Sequence, residues 1–275
     1  DGLTNCTKLT ELNLFSCDSL QNLDGLTNCT KLTGLSLSSH SLQNVDGLAN
    51  CKKLTELSLD SCNSLQNVDG LANCTKLTTL YLGNSEFASL PGGLDKVLGL
   101  THLDLNRCDS LQNVDGLANC TKLNSVSLGS NSLQNVDGLA NCTKLTSLDL
   151  SNSESASLPS GLDKILGLTH LDLSCRDSLQ NLNGLTNCTK LTELNLSQCS
   201  SLENVDGLSN CTKLTKLNLY YCHSLENVDG LANCTKLDNL DLSESRSVKP
   251  KPSRGEMTTR KKVAAYQERI KEAMQ

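Results

Sequence analysis

Fifteen cysteines and two His–Asp strings are the residues of this 275-residue chain that could do chemistry. Thiols can pair as disulfides, hold zinc or act as nucleophiles, and each role demands its own spacing. Nine cysteines (Cys6, Cys29, Cys51, Cys74, Cys120, Cys142, Cys188, Cys211, Cys234) recur in one setting, NCT or NCK. In that setting Cys29 stands three residues after Leu26 and three before Leu32, so the thiol should face a core. Five more (Cys17, Cys62, Cys108, Cys199, Cys222) follow an LxLxx stretch, and Cys175 falls one place early, which suggests a local shift. His40, Ser85, Asn131 and Ser153 fill that second setting elsewhere, and all are small or polar hydrogen-bonding residues. The pattern therefore reads as ladders of small, buried, reduced thiols. Disulfides between neighbouring rungs are the alternative. Zinc held by Cys17, His40 and Cys62 would need a fourth ligand that the pattern does not offer, so no metal and no cofactor is expected.

The strings THLDL at 101–105 and 169–173 place His102 with Asp104 and His170 with Asp172. A His–Asp pair can be a fragment of an acid–base site. No motif sets a nucleophile beside either pair, so the expectation is no catalytic residue and no enzyme. Eight NCT strings (Asn5, Asn28, Asn73, Asn119, Asn141, Asn187, Asn210, Asn233) are also glycosylation sequons. Glycans beside core-facing thiols would be awkward, and unpaired thiols suit a reducing compartment, so a cytoplasmic location is expected.

The positions follow from an internal repeat. The string LTELNLFSCDSLQNLDGLTNCTK, residues 9–31, recurs to residue 236. Its leading leucine returns at Leu32, Leu54, Leu77, Leu100, Leu123, Leu145, Leu168, Leu191, Leu214 and Leu237, every 23 residues except for 22 after Leu32 and Leu123. The LxxLxL stretch alternates and predicts a short half-buried strand in each unit. The DGL that follows should bend the chain, with Asp bonding local backbone N–H groups and Gly supplying the bend. Too few residues remain for an α-helix, so the return wall should be 3₁₀ or irregular. Two units, 80–99 and 148–167, carry LPxGL in place of NVDGL; their 68-residue separation points to a block duplication.

On these motifs the chain resembles the leucine-rich repeat family over residues 1–245. SLQNVDGLANCTKL (64–77) is similar to the short repeats of bacterial internalin-type proteins, and the Cys after LxLxx to the cysteine-containing class of F-box adaptors. The resemblance implies an α/β, right-handed leucine-rich-repeat solenoid. It would have a parallel β-sheet of about eleven strands on its concave face and a 3₁₀ or irregular convex face. In that fold partners bind the outward strand positions. Here those positions and the neighbouring aromatics nominate Phe15, Glu56, Tyr81, His102, Asp104, Asp149, His170, Asp172, Tyr220 and Tyr221 as partner-contacting residues. Asp149 and Asp172 should lie side by side, where a basic partner would relieve their repulsion.

After Ser245 the repeat stops. Residues 246–255 read as a linker and 256–275 as a basic amphipathic helix with Val263, Tyr266, Ile270 and Met274 on its apolar stripe. From Arg246 onward nine basic residues face three acidic ones, a net +6 in a chain of net −6, so residues 1–245 carry −12. The helix should cap the open end of the solenoid or dock on a partner. Nothing interleaves basic and aromatic residues as nucleic-acid binding would need. No apolar run is long enough for a transmembrane helix. The start in mid-repeat suggests a longer chain or a covering partner. The functional expectation is a non-enzymatic protein–protein interaction scaffold or adaptor. The alternative is a structural component of a larger assembly with the tail helix docked on a neighbour. Catalysis would have to reside in a domain outside this sequence.

Overall fold

A computed structural model describes residues 2–252 and 255–275; Asp1 of the 1–245 span and Ser253 and Arg254 of the 246–255 segment lie outside the described residues. The chain divides into two compact units, Asp1–Leu133 with Asp137–Leu145, and Gln134–Val136 with Thr146–Gln275. In the first unit each LxxLxL stretch is a strand: β1 (Glu11–Leu14), β2 (Gly34–Leu37), β3 (Glu56–Ser58), β4 (Thr79–Tyr81), β5 (His102–Asp104) and β6 (Ser125–Ser127). They pair in parallel, in sequence order, with equivalent residues opposite one another: Leu12 faces Leu35, Leu57 faces Leu80 and Leu103 faces Val126. The alternation buries one leucine set, with Leu35, Leu57, Leu80 and Leu103 at most 3% exposed. The second unit repeats the scheme with β7 (Ser147–Asp149), β8 (His170–Asp172), β9 (Glu193–Asn195), β10 (Lys216–Asn218) and β11 (Asn239–Asp241). A short antiparallel strand, β12 (Glu256–Met257), closes its edge on β11.

The return wall is 3₁₀, as in Asp24–Leu26, Asp46–Leu48 and Asp206–Leu208. Its local cause differs from the expected one. The Asn two places before the Asp accepts that Asp's N–H, Asn22 from Asp24 at 3.2 Å and Asn44 from Asp46 at 3.1 Å. This is an Asx turn repeated down the coil. In most rungs the glycine is needed for stacking; in those that follow an LPxGL unit, Gly116 and Gly184, a Cβ would meet only a leucine side chain at 3.5 Å. A Cβ on Gly47 would collide with the Leu23 carbonyl of the preceding rung, and one on Gly207 with the Leu182 carbonyl. Among the described glycines, positive φ is found at Gly93 (88°) and Gly161 (89°), both in the LPxGL units.

Two thiol ladders run through the core. Cys51 lies against the Cys29 carbonyl at 3.5 Å and Cys120 against that of Leu94 at 3.5 Å. In the turn after the strand, Cys108, Cys199 and Cys222 point at the carbonyls of Leu82, Leu173 and Leu196, at 3.3, 3.2 and 3.2 Å. Burial pushes most of these thiols up, Cys51 to about 11 and Cys222 to about 12. The turn ladder corrects three sequence assignments. In the 22-residue rungs Ser39 and Ser130 hold the buried place, while His40 and Asn131 face solvent. The reason is one missing residue. Every 23-residue rung puts a left-handed residue just before the ladder position, such as Ser16, Ser61, Arg107 and Gln198, and the two shorter rungs omit it. Finally, Cys175 involves no shift. It takes the left-handed place (φ 56°), and Arg176, 3% exposed, enters the ladder, donating from Nη1 to the Leu150 carbonyl at 2.9 Å.

Candidate partner-binding face

The outward positions of the first unit's sheet form three columns, set by the period-two alternation of the strands. The first holds Glu11, Gly34, Glu56, Thr79, His102 and Ser125. The second holds Asn13, Ser36, Ser58, Tyr81, Asp104 and Ser127, and the third, just past the strand ends, Phe15, Ser38, Asp60, Gly83, Asn106 and Gly129. These positions include four carboxylates and neither Lys nor Arg.

Three nominated residues converge here. Register places Thr79 beside His102 and Tyr81 beside Asp104. Together with Ser125 and Ser127 they line a pocket of about 300 Å³. Tyr81 is half-buried, and its hydroxyl is pushed up by burial first and then by the negative charge of Glu56, Asp104 and Asp60. Asp60 is the residue that sequence reading missed, because it stands two past the β3 strand residues used to read the face. Its carboxylate accepts the Ser58 hydroxyl at 3.1 Å and the Gly83 N–H at 2.8 Å. Asp104 accepts the Asn106 N–H at 2.8 Å. His102 is exposed, with Nδ1 2.8 Å from the Thr101 hydroxyl. Phe15 is 54% exposed and lies in the turn after β1.

In the second unit too the nominated residues are engaged by their own chain. Asp149 and Asp172 stand opposite each other, and each caps the turn that follows it, on Ser151 and Ser174 N–H at 2.8 Å. Asp172 also accepts from the Asn195 amide at 3.1 Å. His170 lies 3.8 Å from Glu193, which pairs with Lys216 at 2.8 Å. That hydrogen bond, then the charge of Glu193, raises the Lys216 ammonium. Tyr220 and Tyr221, 38% and 43% exposed, sit in the turn after β10 rather than on the strand. With His223 they form a ring cluster, Tyr220–Tyr221 at 5.6 Å and Tyr221–His223 at 4.1 Å between centroids. Beside the histidines of the two strings stand hydroxyls of the chain itself: Thr101 lies 2.8 Å from His102 Nδ1 and Thr169 2.8 Å from His170 Nδ1, with Ser125 opposite His102 in register. Among the described residues no three His, Cys, Asp or Glu side chains converge for a metal.

The tail forms α1 (Arg260–Ala273) in the second unit. Val263, Tyr266 and Ile270 are buried, and the helix packs against β11, β12 and the 3₁₀ turn Asp229–Leu231. Gln267, outside the apolar stripe, is buried as well; its amide donates to the carbonyls of Leu231 and Cys234 at 2.8 and 3.0 Å, satisfying last-rung groups. Tyr266 donates to the Pro250 carbonyl at 2.7 Å. Met274 departs from the stripe. It follows the last helical residue and is 55% exposed. No helix among the described residues is long and apolar enough to cross a membrane.

Coils of parallel strands and 3₁₀ returns, with an open polar strand face, are the architecture of a repeat interaction module. The chain belongs to the leucine-rich repeat proteins. Residues 3–92 match the BspA type leucine rich repeat region, residues 78–176 the LRR domain of endo-beta-N-acetylglucosaminidase EndoS, and residues 182–263 the Zer-1-like leucine-rich repeats. Among solved structures, an internalin (inlF) from Listeria monocytogenes str. 4b F2365 is 20% identical, over 88% of this chain and 86% of that one, with a TM-score of 0.54. The leucine-rich repeat domain of the type III effector XCV3220 (XopL) is 24% identical, over 74% and 73%, with a TM-score of 0.60. A chain of the Toll–Spatzle complex from Drosophila is 19% identical over 87% of this chain and 37% of its own, with a TM-score of 0.62. These likenesses are of fold. No curated protein matches the chain.

Proposed function

We propose that the chain is a non-enzymatic protein-interaction scaffold or adaptor that works in the cytoplasm. Its contact surface is the outward sheet face of the first unit, and its partner presents a basic surface there. The observation that carries this reading is the charge of that face: Glu11, Glu56, Asp60 and Asp104 without Lys or Arg among the three columns. In the second unit Lys216 already pairs with Glu193, so the equivalent surface is partly neutralised from within. Complementary charge steers association and fixes register. The ladders support this location: their thiols are unpaired and directed at backbone carbonyls, and unpaired thiols persist in a reducing compartment. Val263, Tyr266 and Ile270 are engaged by the chain's own last rung, which weighs against a tail docked on a neighbour.

The experiment is affinity capture with the wild-type chain and with two charge-reversed forms, E56K/D104K in the first unit and D149K/D172K in the second. A partner lost only with the first pair supports the reading. A partner retained by E56K/D104K contradicts it.

A further inference from the structure

We propose that the pocket beside Tyr81 is a subsite for an arginine side chain of the partner. The proposal rests on the reading of this face as the contact surface, and it names the group that the face receives. Tyr81 offers a half-buried ring at the β4 edge of the pocket, with Asp104 beside it on the pocket side and Ser58 beside it on the β3 side. Past the strand ends the third column holds Gly83 between two carboxylates. A Cβ on Gly83 would stand 3.3 Å from Asp60 Oδ1 and 3.7 Å from Asp104 Oδ1. Glycine here lets the two carboxylates draw close together over the end of β4, one from the β3 side and one from the β5 side. The Asn106 carbonyl, 2.9 Å from the same point, leaves no room for a side chain there, so a ligand group would lie above the two acids. Glu56 lies one column over, on the strand that pairs with β4.

Each local bond made by these acids leaves acceptor capacity, since an ionised carboxylate offers about four lone-pair sites. Asp60 and Asp104 are held in place by backbone N–H groups of Gly83 and Asn106, so the acceptors are oriented before a partner arrives. The group that fits is flat, cationic and rich in donors. A guanidinium can lie on the Tyr81 ring and donate to both carboxylates, whereas an ammonium is a compact point charge that stacks less well. A metal ion would need more converging ligands than the pocket supplies, since no set of three is present among the described residues.

The repeat itself supplies variants that leave the fold intact. Asn replaces Asp104 in the equivalent places of other rungs, where Asn13, Asn195 and Asn218 make the same turn bond to Phe15, Ser197 and Tyr220 N–H. D104N therefore keeps the Oδ1 acceptor, and so does D60N, since Asn106 in the Asp60 column accepts the Gly129 N–H at 2.9 Å. Each variant removes the charge and exchanges one acceptor oxygen for an amide donor. Y81S copies Ser58 and Ser127 in the same column.

The test titrates the ¹⁵N-labelled whole chain with three blocked tripeptides, glycine–arginine–glycine, glycine–lysine–glycine and triglycine, and follows amide shifts. Arginine peptide should saturate shifts at Tyr81, Gly83, His102 and Asp104. Lysine peptide should bind more weakly and triglycine should leave these amides unmoved. D60N and D104N should each weaken the arginine peptide by about threefold, the scale of an exposed charge pair, and Y81S should remove its preference over lysine. Shifts that are absent, scattered over both units, equal for lysine and arginine, or unchanged in D60N and D104N overturn the proposal. A subsite that fails while E56K/D104K still abolishes partner capture sinks the arginine assignment alone. Failure of both sinks the contact-face reading too.

Discussion

Arg176 gives the sharpest test of how the coil balances its interior. In the first LPxGL block, Phe87 is buried, Arg107 takes the left-handed position and Cys108 enters the ladder, reaching the Leu82 carbonyl at 3.3 Å. In the second block, 68 residues on, the equivalents are Ser155, Cys175 and Arg176. The Arg–Cys order is transposed, and a serine stands where the ring was. Arg176 donates to the Leu150 carbonyl at 2.9 Å and, from Nη2, to Ser157 at 3.0 Å, an oxygen that Ser155 also reaches at 3.0 Å. The guanidinium thus comes up beside Ser155, the position that carries the buried Phe87 ring in the first block. Its Nε finds no acceptor, and burial lowers its pKa. R176C keeps a donor for Leu150 but opens a cavity and removes a charged bond to Ser157. The cavity costs about 3 kcal/mol and the bond about 1.5 kcal/mol. Release of a buried charge without a carboxylate partner returns part of this, leaving a net loss of about 2–4 kcal/mol. S155F alone should also destabilise, because the ring and the guanidinium compete. Combined, S155F/R176C should recover to within about 1 kcal/mol of wild type, a coupling of at least about 2 kcal/mol. Urea unfolding followed by circular dichroism, with all four proteins at one pH and protein concentration, measures it. Single-variant losses that simply add would refute the compensation.

Other outcomes follow from the same geometry. G47A should cost about 2–3 kcal/mol, since backbone must shift to admit the methyl. G116A, whose Cβ would meet only the Leu90 side chain at 3.5 Å, should stay within about 0.5 kcal/mol in the same assay. With a thiol reagent at pH 8 and no reductant, the partly exposed Cys6, Cys17 and Cys175 should react quickly, and all fifteen after denaturation. Fewer than fifteen would mean disulfides, and the cytoplasmic assignment would fall. Alkali should unfold the protein. The thiols are held protonated to about 11 or 12 in the folded state against 9.0 ordinarily, so stability is intact below pH 9 and falls as pH climbs through 11. A flat pH 9–11 melting profile would contradict this. Q267A should expose last-rung carbonyls of Leu231 and Cys234 and cost about 2 kcal/mol, read as faster amide exchange confined to residues near 231–242.

Periodicity made the strands and the thiol columns legible, because one leucine spacing repeated along the chain leaves no competing pattern. The finer fit was not legible for physical reasons. The 22-residue rungs lose the left-handed residue, so Ser39 and not His40 turns inward, and a count from the leading leucine cannot see which residue was dropped. Gly47 looked like a bend residue, and only the approach of the Leu23 carbonyl reveals its role. Cys175 suggests a local shift when cysteines alone are counted, whereas the ladder place belongs to Arg176, whose acceptors Leu150 and Ser157 come from the preceding rung. On the candidate face, Tyr81, His102 and Asp104 were readable from strand alternation. Asp60 was not, since it stands past the strand end and enters the site through a turn. The acids Asp149 and Asp172 drew notice as charges but serve as turn caps, a role that only the bond to Ser151 or Ser174 discloses.

Carboxylate footprinting of the chain with and without its captured partner tests the central claim most directly. Carbodiimide labelling, read by mass spectrometry, should fall at Glu56, Asp60 and Asp104 in the complex and stay unchanged at Glu244, Glu268 and Glu272. Protection at the tail or the 3₁₀ wall, with Glu56, Asp60 and Asp104 labelled as in the free chain, would contradict the account.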